Sequence, residues 1–408
     1  MRNYAPLLGL ALLAIAAPAR SETPNIEEIW AVVQQQQQEI EDLKRQLADA
    51  DAQLAVADQK IEATGDYLDT IAVPVAQPKT QLGGYGELHY NNLDADDSTR
   101  DVDQIDFHRF VLFLSHEFSD RIRFFSEVEI EHSLSGDGKP GEVELEQAYI
   151  DFAINDSLSA KTGLFLLPIG ITNETHEPPT FYGVERNSIE NIIIPSTWWE
   201  AGAALSGHNS SGLSWDLALH SGLAIPTTGS SAFRVRSGRQ KVAEAMADDM
   251  AYTARLRYSG IPGLDLGLSY QYQTDASQIS GDGLDEGQLI AANVVYNIGA
   301  FTLKGVYADW DFSGAAVEAA GADSQTGWFI EPSFRFATTR GDWGVYARHE
   351  DVEGARVQDQ FSQNEIGVNF WPTDNVVFKF DFRQRDHDLL SEAGRDFDGF
   401  DLGLGYQF

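Results

Sequence analysis

From Leu82 to the C-terminus, apolar and polar residues alternate in short runs, and this period of two predicts β-strands. The last run is the clearest, because Phe400 and Leu402 share one face while Asp401 and Gly403 share the other. Sixteen such runs start near Leu82, Gln104, Arg121, Glu142, Leu158, Trp198, Leu213, Ala251, Leu264, Gln288, Phe301, Trp328, Trp343, Glu365, Val376 and Phe397. The pattern therefore predicts an all-β chain of about sixteen antiparallel strands.

The connections between these runs alternate in length. Tight turns follow the even-numbered runs, as at 155–157 and 297–299, whereas longer and more acidic segments follow the odd-numbered runs. Outer-membrane barrels have short periplasmic turns and long outer loops, so the asymmetry favours a transmembrane β-barrel over residues 82–408. An even number of strands also returns the C-terminus to the periplasmic side.

A soluble β-sandwich is the alternative to a membrane barrel. It would bury the apolar face of each strand in a core, and the face that carries Lys379, Asp381, Arg383 and Arg385 would have to be exposed elsewhere. Four successive charged positions that point inward need water, because an unpaired buried charge is costly. A barrel with a wet lumen accommodates them better.

A different period occupies the N-terminal part, where apolar residues recur every seven positions. The first seam contains Ile26, Val33, Ile40, Leu47, Leu54, Ile61 and Leu68. A sustained heptad predicts a coiled coil over 20–72, and Pro74 and Pro78 predict a linker over 73–81. A single helix lying on its own barrel is the alternative. Mixed Ile and Leu on the seam favours more than two strands without settling their number.

The first nineteen residues have the order of a cleaved secretory signal, with Arg2, an apolar run from Leu7 to Ala17, and small residues up to Ala19. The apolar run is shorter than the roughly 20 residues of a spanning helix, which disfavours the alternative of an N-terminal membrane anchor. These features predict export, with a mature chain that begins near Arg20 and a stalk in the periplasm of a Gram-negative bacterium.

Composition changes the picture in two ways. The chain has no cysteine, so it has neither disulfides nor a thiolate site. The formal net charge of −35 argues against a nucleic-acid partner, because binding to phosphates needs a basic face.

Taking the apolar face of each strand as lipid-facing assigns a set of basic residues to the inner wall. These predicted pore-lining residues are Arg109, Arg121, Arg123, Arg255, Arg257, Lys304, Arg335, Arg348, Lys379, Arg383 and Arg385. Acidic residues such as Glu127, Glu129 and Glu331 share the wall. Charged side chains that line a pore select ions, although paired and solvated wall residues would show the same pattern.

Two long connections carry further signals. Segment 171–197 is long and apolar, which predicts either folding into the barrel mouth or a contact between subunits. The next long connection contains the basic residues Arg234, Arg236, Arg239 and Lys241. They would either line the entrance and attract anions or pair with neighbouring acidic loops.

Catalytic and cofactor sites are not predicted. His108, His116, His132 and His176 lack an obvious nucleophile, no nucleophile elbow occurs, and no strand face carries close metal-ligand spacing. A structural tether between outer membrane and cell wall is a further alternative, but an anchor would not need sixteen strands.

Several motifs bear a resemblance to a known family. Segments 106–110 (DFHRF), 124–129 (FFSEVE), 146–151 (EQAYID) and 163–170 (GLFLLPIG), with the closing strand, resemble the phosphate-selective porin O and P family. The resemblance implies a trimer of sixteen-stranded barrels in the outer membrane, in contact with lipid and lipopolysaccharide, that passes small hydrophilic solutes and favours anions such as phosphate or small carboxylates. Members with an N-terminal coiled coil look like the dicarboxylate-channel type.

Overall fold

The structure is a computed structural model that describes residues 79–408 and eight helical residues between Trp30 and Lys44. Those eight are Trp30, Gln34, Gln35, Gln37, Gln38, Ile40, Glu41 and Lys44. The predicted signal peptide, most of the predicted coiled coil and residues 73–78 of the predicted linker lie outside the described residues.

Sixteen strands follow one another along the described chain. They are β1 Thr80–Ala95, β2 Val102–Ser119, β3 Ile122–Glu131, β4 Val143–Asn155, β5 Leu158–Leu166, β6 Trp199–His208, β7 Leu213–His220, β8 Ala251–Tyr258, β9 Leu264–Gln273, β10 Gly287–Ile298, β11 Phe301–Phe312, β12 Ser324–Thr338, β13 Gly341–Glu353, β14 Gln360–Thr373, β15 Val376–His387 and β16 Phe397–Gln407. Two short helices, α1 (Ile189–Ile192) and α2 (Ala315–Ala320), lie in connections.

The strands form one closed antiparallel barrel in which each strand pairs with its neighbours in sequence and β1 pairs with β16. The Phe408 amide donates to the Gly84 carbonyl at 2.9 Å, and the Gly84 amide donates back to the Phe408 carbonyl at 3.0 Å. Closure leaves no edge strand, which is the condition for a sheet to cross a bilayer. The predicted fold class is confirmed for the barrel.

The predicted strand starts agree closely with the observed ones. Starts at Leu158, Leu213 and Ala251 coincide with observed starts, and β14 departs most, because it begins at Gln360 rather than at Glu365. Strand starts could be read from the sequence because a change in hydrophobic period and a turn signal are both local features.

Strand β15 shows how the two faces of the barrel differ. Phe378 and Phe380 are exposed on the outside, whereas Lys379, Asp381 and Arg383 are buried on the inside. Such alternation is typical of a strand with an apolar lipid-facing side and a polar lumen side. Among the described residues, no helix is both long and apolar enough to cross a bilayer.

Two long connections occupy the inside of the barrel. We name residues 167–198, between β5 and β6, the inner loop, and residues 221–250, between β7 and β8, the basic loop. Ile193 and Trp198 of the inner loop pack with Trp310 of β11 in one buried apolar cluster, and the two tryptophan rings lie 6.2 Å apart. This cluster, which also includes Val235 of the basic loop, fills part of the lumen with packed side chains.

Candidate functional site

The inner loop is hydrogen-bonded to the inner wall of the barrel along most of its length. Trp310 Nε1 donates to the Ile193 carbonyl at 2.9 Å, and Lys379 Nζ donates to the Gly183 carbonyl at 2.8 Å. Trp371 Nε1 donates to the Pro179 carbonyl of the same loop at 3.1 Å. Of the two uses predicted for this segment, the structure shows folding into the barrel.

Local sequence explains how the inner loop turns back on itself. The buried Glu190 carboxylate accepts the Ile171 and Thr172 amides at 2.5 and 2.7 Å and the Asn187 side chain at 2.8 Å. Gly170 has a φ of +77°, and a Cβ there would clash with Glu190 Oε1, so this position requires glycine.

Three arginines from the two loops converge on residues 196–197. Arg236 Nη1 donates to the Ser196 carbonyl at 2.5 Å, Arg239 donates to the Thr197 carbonyl, and Arg186 Nη1 donates to Thr197 Oγ1 at 3.0 Å. We name Arg186, Arg236 and Arg239 the arginine cluster. Within the described part of the chain, no carboxylate lies at ion-pair distance from any of the three. Their direct hydrogen-bond partners are neutral, although Glu131, Glu144, Glu146 and Glu200 lie close enough for their charges to act on Arg239.

Several donors in this region have no acceptor. Arg186 Nε, Arg239 Nε and Trp199 Nε1 are buried without a hydrogen-bond partner among the described residues. Buried donors that lack a partner are uncommon in folded proteins and call for a ligand or an ordered water. An anion would satisfy them, because all of them are donors.

The electrostatics of the basic loop agree with this arrangement. Burial, together with the charges of Arg239 and Arg234, lowers the pKa of Arg236 to about 9. Burial also lowers the pKa of Arg239. The lowered pKa values mean that both charged guanidinium groups are desolvated and that Arg236 is also repelled by neighbouring arginines. A bound anion would offset the desolvation and the repulsion.

The arginine cluster lines a cavity of about 390 Å³ near the strand ends that bear the long connections, which we name the loop-side cavity. Carboxylates of β1, β3, β4 and the segment before β4 line it as well, namely Glu87, Glu129, Glu131, Glu142, Glu144 and Glu146. Several of these have cationic partners: Arg109 lies 2.6 Å from Glu87 and 3.7 Å from Glu129, and Lys241 pairs with Glu142 and Glu144. Most of the carboxylates of the cavity are therefore on the strand side and most of its basic residues on the loops, with Arg109 of β2 and with Glu185 and Glu190 of the inner loop as exceptions.

The four basic-loop residues divide between the two predicted uses. Arg236 and Arg239 line the loop-side cavity without a carboxylate partner, whereas Lys241 pairs with carboxylates next to and on β4. Arg234 lies close enough to Arg356 and Asp359 for their charges to act on it.

Four other predicted residues line two cavities on the far side of the inner loop, near the β10–β11 turn. Arg255 pairs with Asp216 and Glu174, and Arg257 pairs with Asp265, in a cavity of about 250 Å³. Lys304 and Arg335 line a second cavity of about 390 Å³, where Arg335 lies over the Trp371 ring at 4.3 Å.

The inner loop covers four more of the predicted residues. Arg348 is surrounded by carboxylates, with Glu331 at 2.7 Å, and it donates to the Tyr182 carbonyl at 2.8 Å. Lys379 donates to Gly183 of the inner loop, and Arg383 donates to Asp401 of the wall. Arg385 donates to Gln363 of the wall and to Ser188 of the inner loop. Their side chains point inward, but the loop separates them from the loop-side cavity.

Arg121 and Arg123 lie at the turn-bearing end of the barrel. Arg121 is exposed in the turn between β2 and β3, and Arg123 is half exposed and lies 3.3 Å from Asp151. Whether any single one of the eleven wall residues controls selectivity stays a prediction.

A comparison with known families decides the identity. The family model of phosphate-selective porin O and P matches residues 81–408. The chain belongs to this family. The family and the fold are those of outer-membrane channel proteins, so the barrel is an outer-membrane porin barrel.

Individual relatives agree with the fold. The anion-selective porin from Comamonas acidovorans has a TM-score of 0.56 at 13% identity, over 81% of this chain and 99% of that chain. OmpF of Salmonella typhi has 0.54 at 13% identity, and the outer membrane channel DcaP of Acinetobacter baumannii has 0.52 at 10%, each over 81% of this chain and 97% of that chain. Identities this low show the fold alone.

One curated relative, an uncharacterized protein of Aquifex aeolicus (strain VF5), is 34% identical over 244 residues, which is 59% of this chain. The alignment spans 51% of that relative, so the chain covers about half of its length.

Sequence reasoning missed two sets of porin residues. Arg186 was not singled out, because nothing in segment 171–197 marks a lone arginine as a partner of the basic loop. His89 was also missed, although the alternation in β1 places it on the same inner face as Glu87. His108 and His132 were considered one strand at a time, and the structure brings them together across strands with carboxylates.

Proposed function

We propose that this porin gives passive diffusion to small hydrophilic solutes and favours small anions, such as phosphate or small carboxylates. The observation that carries the proposal is the arginine cluster, whose three guanidinium groups face the loop-side cavity with neutral partners only. An anion that enters the cavity meets three guanidinium groups that have no carboxylate at ion-pair distance, and charged side chains that line a pore select ions.

Most carboxylates of the same cavity attract cations less strongly than the arginine cluster attracts anions, because they already have partners. Glu87 and Glu129 have Arg109 beside them, and Glu142 and Glu144 have Lys241. Glu190 is occupied by backbone amides. The loops therefore carry the more available charge, and its sign is positive.

A general or cation-preferring porin is the second candidate, and one observation favours it. Eight glutamates line the loop-side cavity, against five arginines and lysines. Glu131 has no cationic partner at ion-pair distance among the described residues, so the carboxylate wall would attract cations.

Reversal potentials in a salt gradient across planar bilayers separate the two candidates. We expect the unmodified porin to pass chloride more readily than potassium. The double variant Arg236→Gln/Arg239→Gln should lose most of that preference, whereas the control Arg121→Gln, at an exposed turn, should keep it. A cation preference in the unmodified protein, unchanged in the double variant, would favour the carboxylate wall instead.

We also propose that the porin is a homotrimer with a periplasmic coiled coil over 20–72, a signal peptide over 1–19 and a linker over 73–81. The heptad seam and the family resemblance support this assembly. The apolar outer face would contact lipid and lipopolysaccharide. We propose neither a catalytic activity nor a cofactor nor a nucleic-acid partner for the channel.

A further inference from the structure

Three histidines from three consecutive parts of the barrel lie together on the wall of the loop-side cavity. They are His89 of β1, His108 of β2 and His132, which follows β3. The rings of His89 and His108 stack with centroids 4.5 Å apart, and the rings of His108 and His132 meet edge to face at 5.5 Å. We name these residues the histidine cluster.

Carboxylates contact the histidine cluster from two sides. On one side, Glu185 of the inner loop lies 3.1 Å from His89 Nδ1, and Glu87 lies 3.3 Å from His89 Nε2. On the other side, a single oxygen of Asp106 lies 3.1 Å from His108 Nδ1 and 2.7 Å from His132 Nδ1.

A β-bulge lets His108 line the cavity beside Arg109. Glu87 is paired with Arg109 and His89 with Asp106, so β2 has one residue more than β1 in this interval. Consecutive residues of a regular strand point to opposite faces, yet both His108 and Arg109 line the cavity. Bulges re-aim side chains in this way and are frequent beside functional sites.

We propose that the histidine cluster binds one divalent transition-metal ion of the zinc class, with His108 as the central ligand. His108 belongs to two possible ligand sets, one with His89 and Glu185 and one with Asp106 and His132. In each set, one donor atom of each residue lies within 4.8 Å of the others. Imidazole nitrogens and carboxylate oxygens bind Zn²⁺ at about 2.0–2.2 Å, so an ion would draw them together by small side-chain rotations.

The surroundings suit such an ion. The side chains of His108 and His132 are 26% and 32% exposed, so an ion can reach them from the cavity. Carboxylates that hold the second nitrogen of a ligating histidine raise its basicity and fix its orientation, and Glu87 or Asp106 can do this for His89 or His108. Nitrogen donors favour zinc-class ions over Ca²⁺ and Mg²⁺, which prefer oxygen ligands.

A second set of potential metal ligands offers an alternative site. Glu127, Glu146 and His176, the last of which belongs to the inner loop, also place one donor atom each within 4.8 Å of the others, but all three are buried. We assign the ion to the histidine cluster because His108 and His132 are more exposed.

Zinc titration of the full-length, detergent-folded porin tests the proposal and needs no ion current, so its failure is distinguishable from failure of the channel proposal. We expect binding of about one Zn²⁺ per chain, insensitive to excess Ca²⁺. His108→Ala should weaken binding at least about tenfold. The control His208→Ala, an exposed histidine of β6, and His176→Ala should both bind as the unmodified protein does.

Folding of each variant is checked by heat-modifiable gel mobility. If His108→Ala does not fold, the double variant Asp106→Asn/Glu185→Gln removes one ligand from each set and should show the same weakening. The proposal would be overturned by a lack of zinc binding in the unmodified porin, by full binding in a folded His108→Ala or Asp106→Asn/Glu185→Gln variant, or by a loss confined to His176→Ala.

Discussion

The Glu190→Ala variant tests whether a single buried carboxylate stabilises the internal fold of the inner loop, because its partners all belong to that loop. In the folded porin, Glu190 accepts the Ile171 and Thr172 amides at 2.5 and 2.7 Å and is itself fully buried. Removal of the carboxylate leaves these buried donors unpaired. The barrel strands keep all of their own backbone pairs, so we expect the barrel to fold and the loop to loosen.

The size of the effect follows from the two backbone bonds. Hydrogen bonds to a charged group contribute about 1.5–3 kcal/mol each, so their loss destabilises the turn around Gly170 by about 3–6 kcal/mol. Because each 1.4 kcal/mol is a factor of ten, the ratio of the closed to the locally opened turn should fall by about 10²–10⁴. Glu190→Gln keeps an acceptor oxygen but loses the charge, so its destabilisation should lie between zero and that of Glu190→Ala.

Limited proteolysis and single-channel recording measure the outcome. We expect Glu190→Ala to be cleaved faster within residues 167–198 and to show larger, noisier conductance than the unmodified porin. Glu177→Ala is the matched control, because Glu177 is on the same loop and its side chain makes no capping hydrogen bond. Equal cleavage rates and equal conductance in Glu190→Ala and Glu177→Ala, with both barrels folded, would refute the role of Glu190 in the internal fold of the loop.

Three further outcomes are expected. Deletion of Phe408 should lower the yield of heat-modifiable barrel in the outer membrane, because its backbone pairs with Gly84 at the closing seam; an undiminished yield would contradict this. Native mass measurement should detect a trimer, and deletion of 26–71 should weaken it; a monomer as the only species would exclude the trimer. Since the pKa of Arg236 is lowered to about 9, a rise from pH 7 to pH 10 should discharge it and reduce the anion preference, and Arg236→Gln should be less sensitive to that rise.

The sequence alone predicted the strand-built part of this porin well, because strand patterning is a local property. In β15, Phe380 and Lys379 point to opposite faces for the same reason that their sequence alternates, and the register follows from tight turns such as 297–299. The same pattern assigned the side chains of Lys379 and Arg383 to the inner face, where the structure places them.

Contacts between distant segments could not be predicted in this way. Arg236 and Ser196 are 40 residues apart, and only the folding of two loops into one lumen brings them to 2.5 Å. The inner loop covers Lys379, although the strand pattern assigns this residue to the wall of a water-filled lumen. The sequence marked the loops as long, apolar and basic, but it did not specify which wall they would cover.

Register irregularities are the other feature that only the tertiary structure decided. His108 lies next to Arg109 in sequence, and a regular strand would turn one of them toward lipid. The bulge between β1 and β2 directs both to the cavity, where His89 and His132 complete the cluster from neighbouring strands. Alternation and turn chemistry determined the barrel because each depends on a few adjacent residues, whereas the arginine and histidine clusters depend on loop packing and strand register across the whole chain.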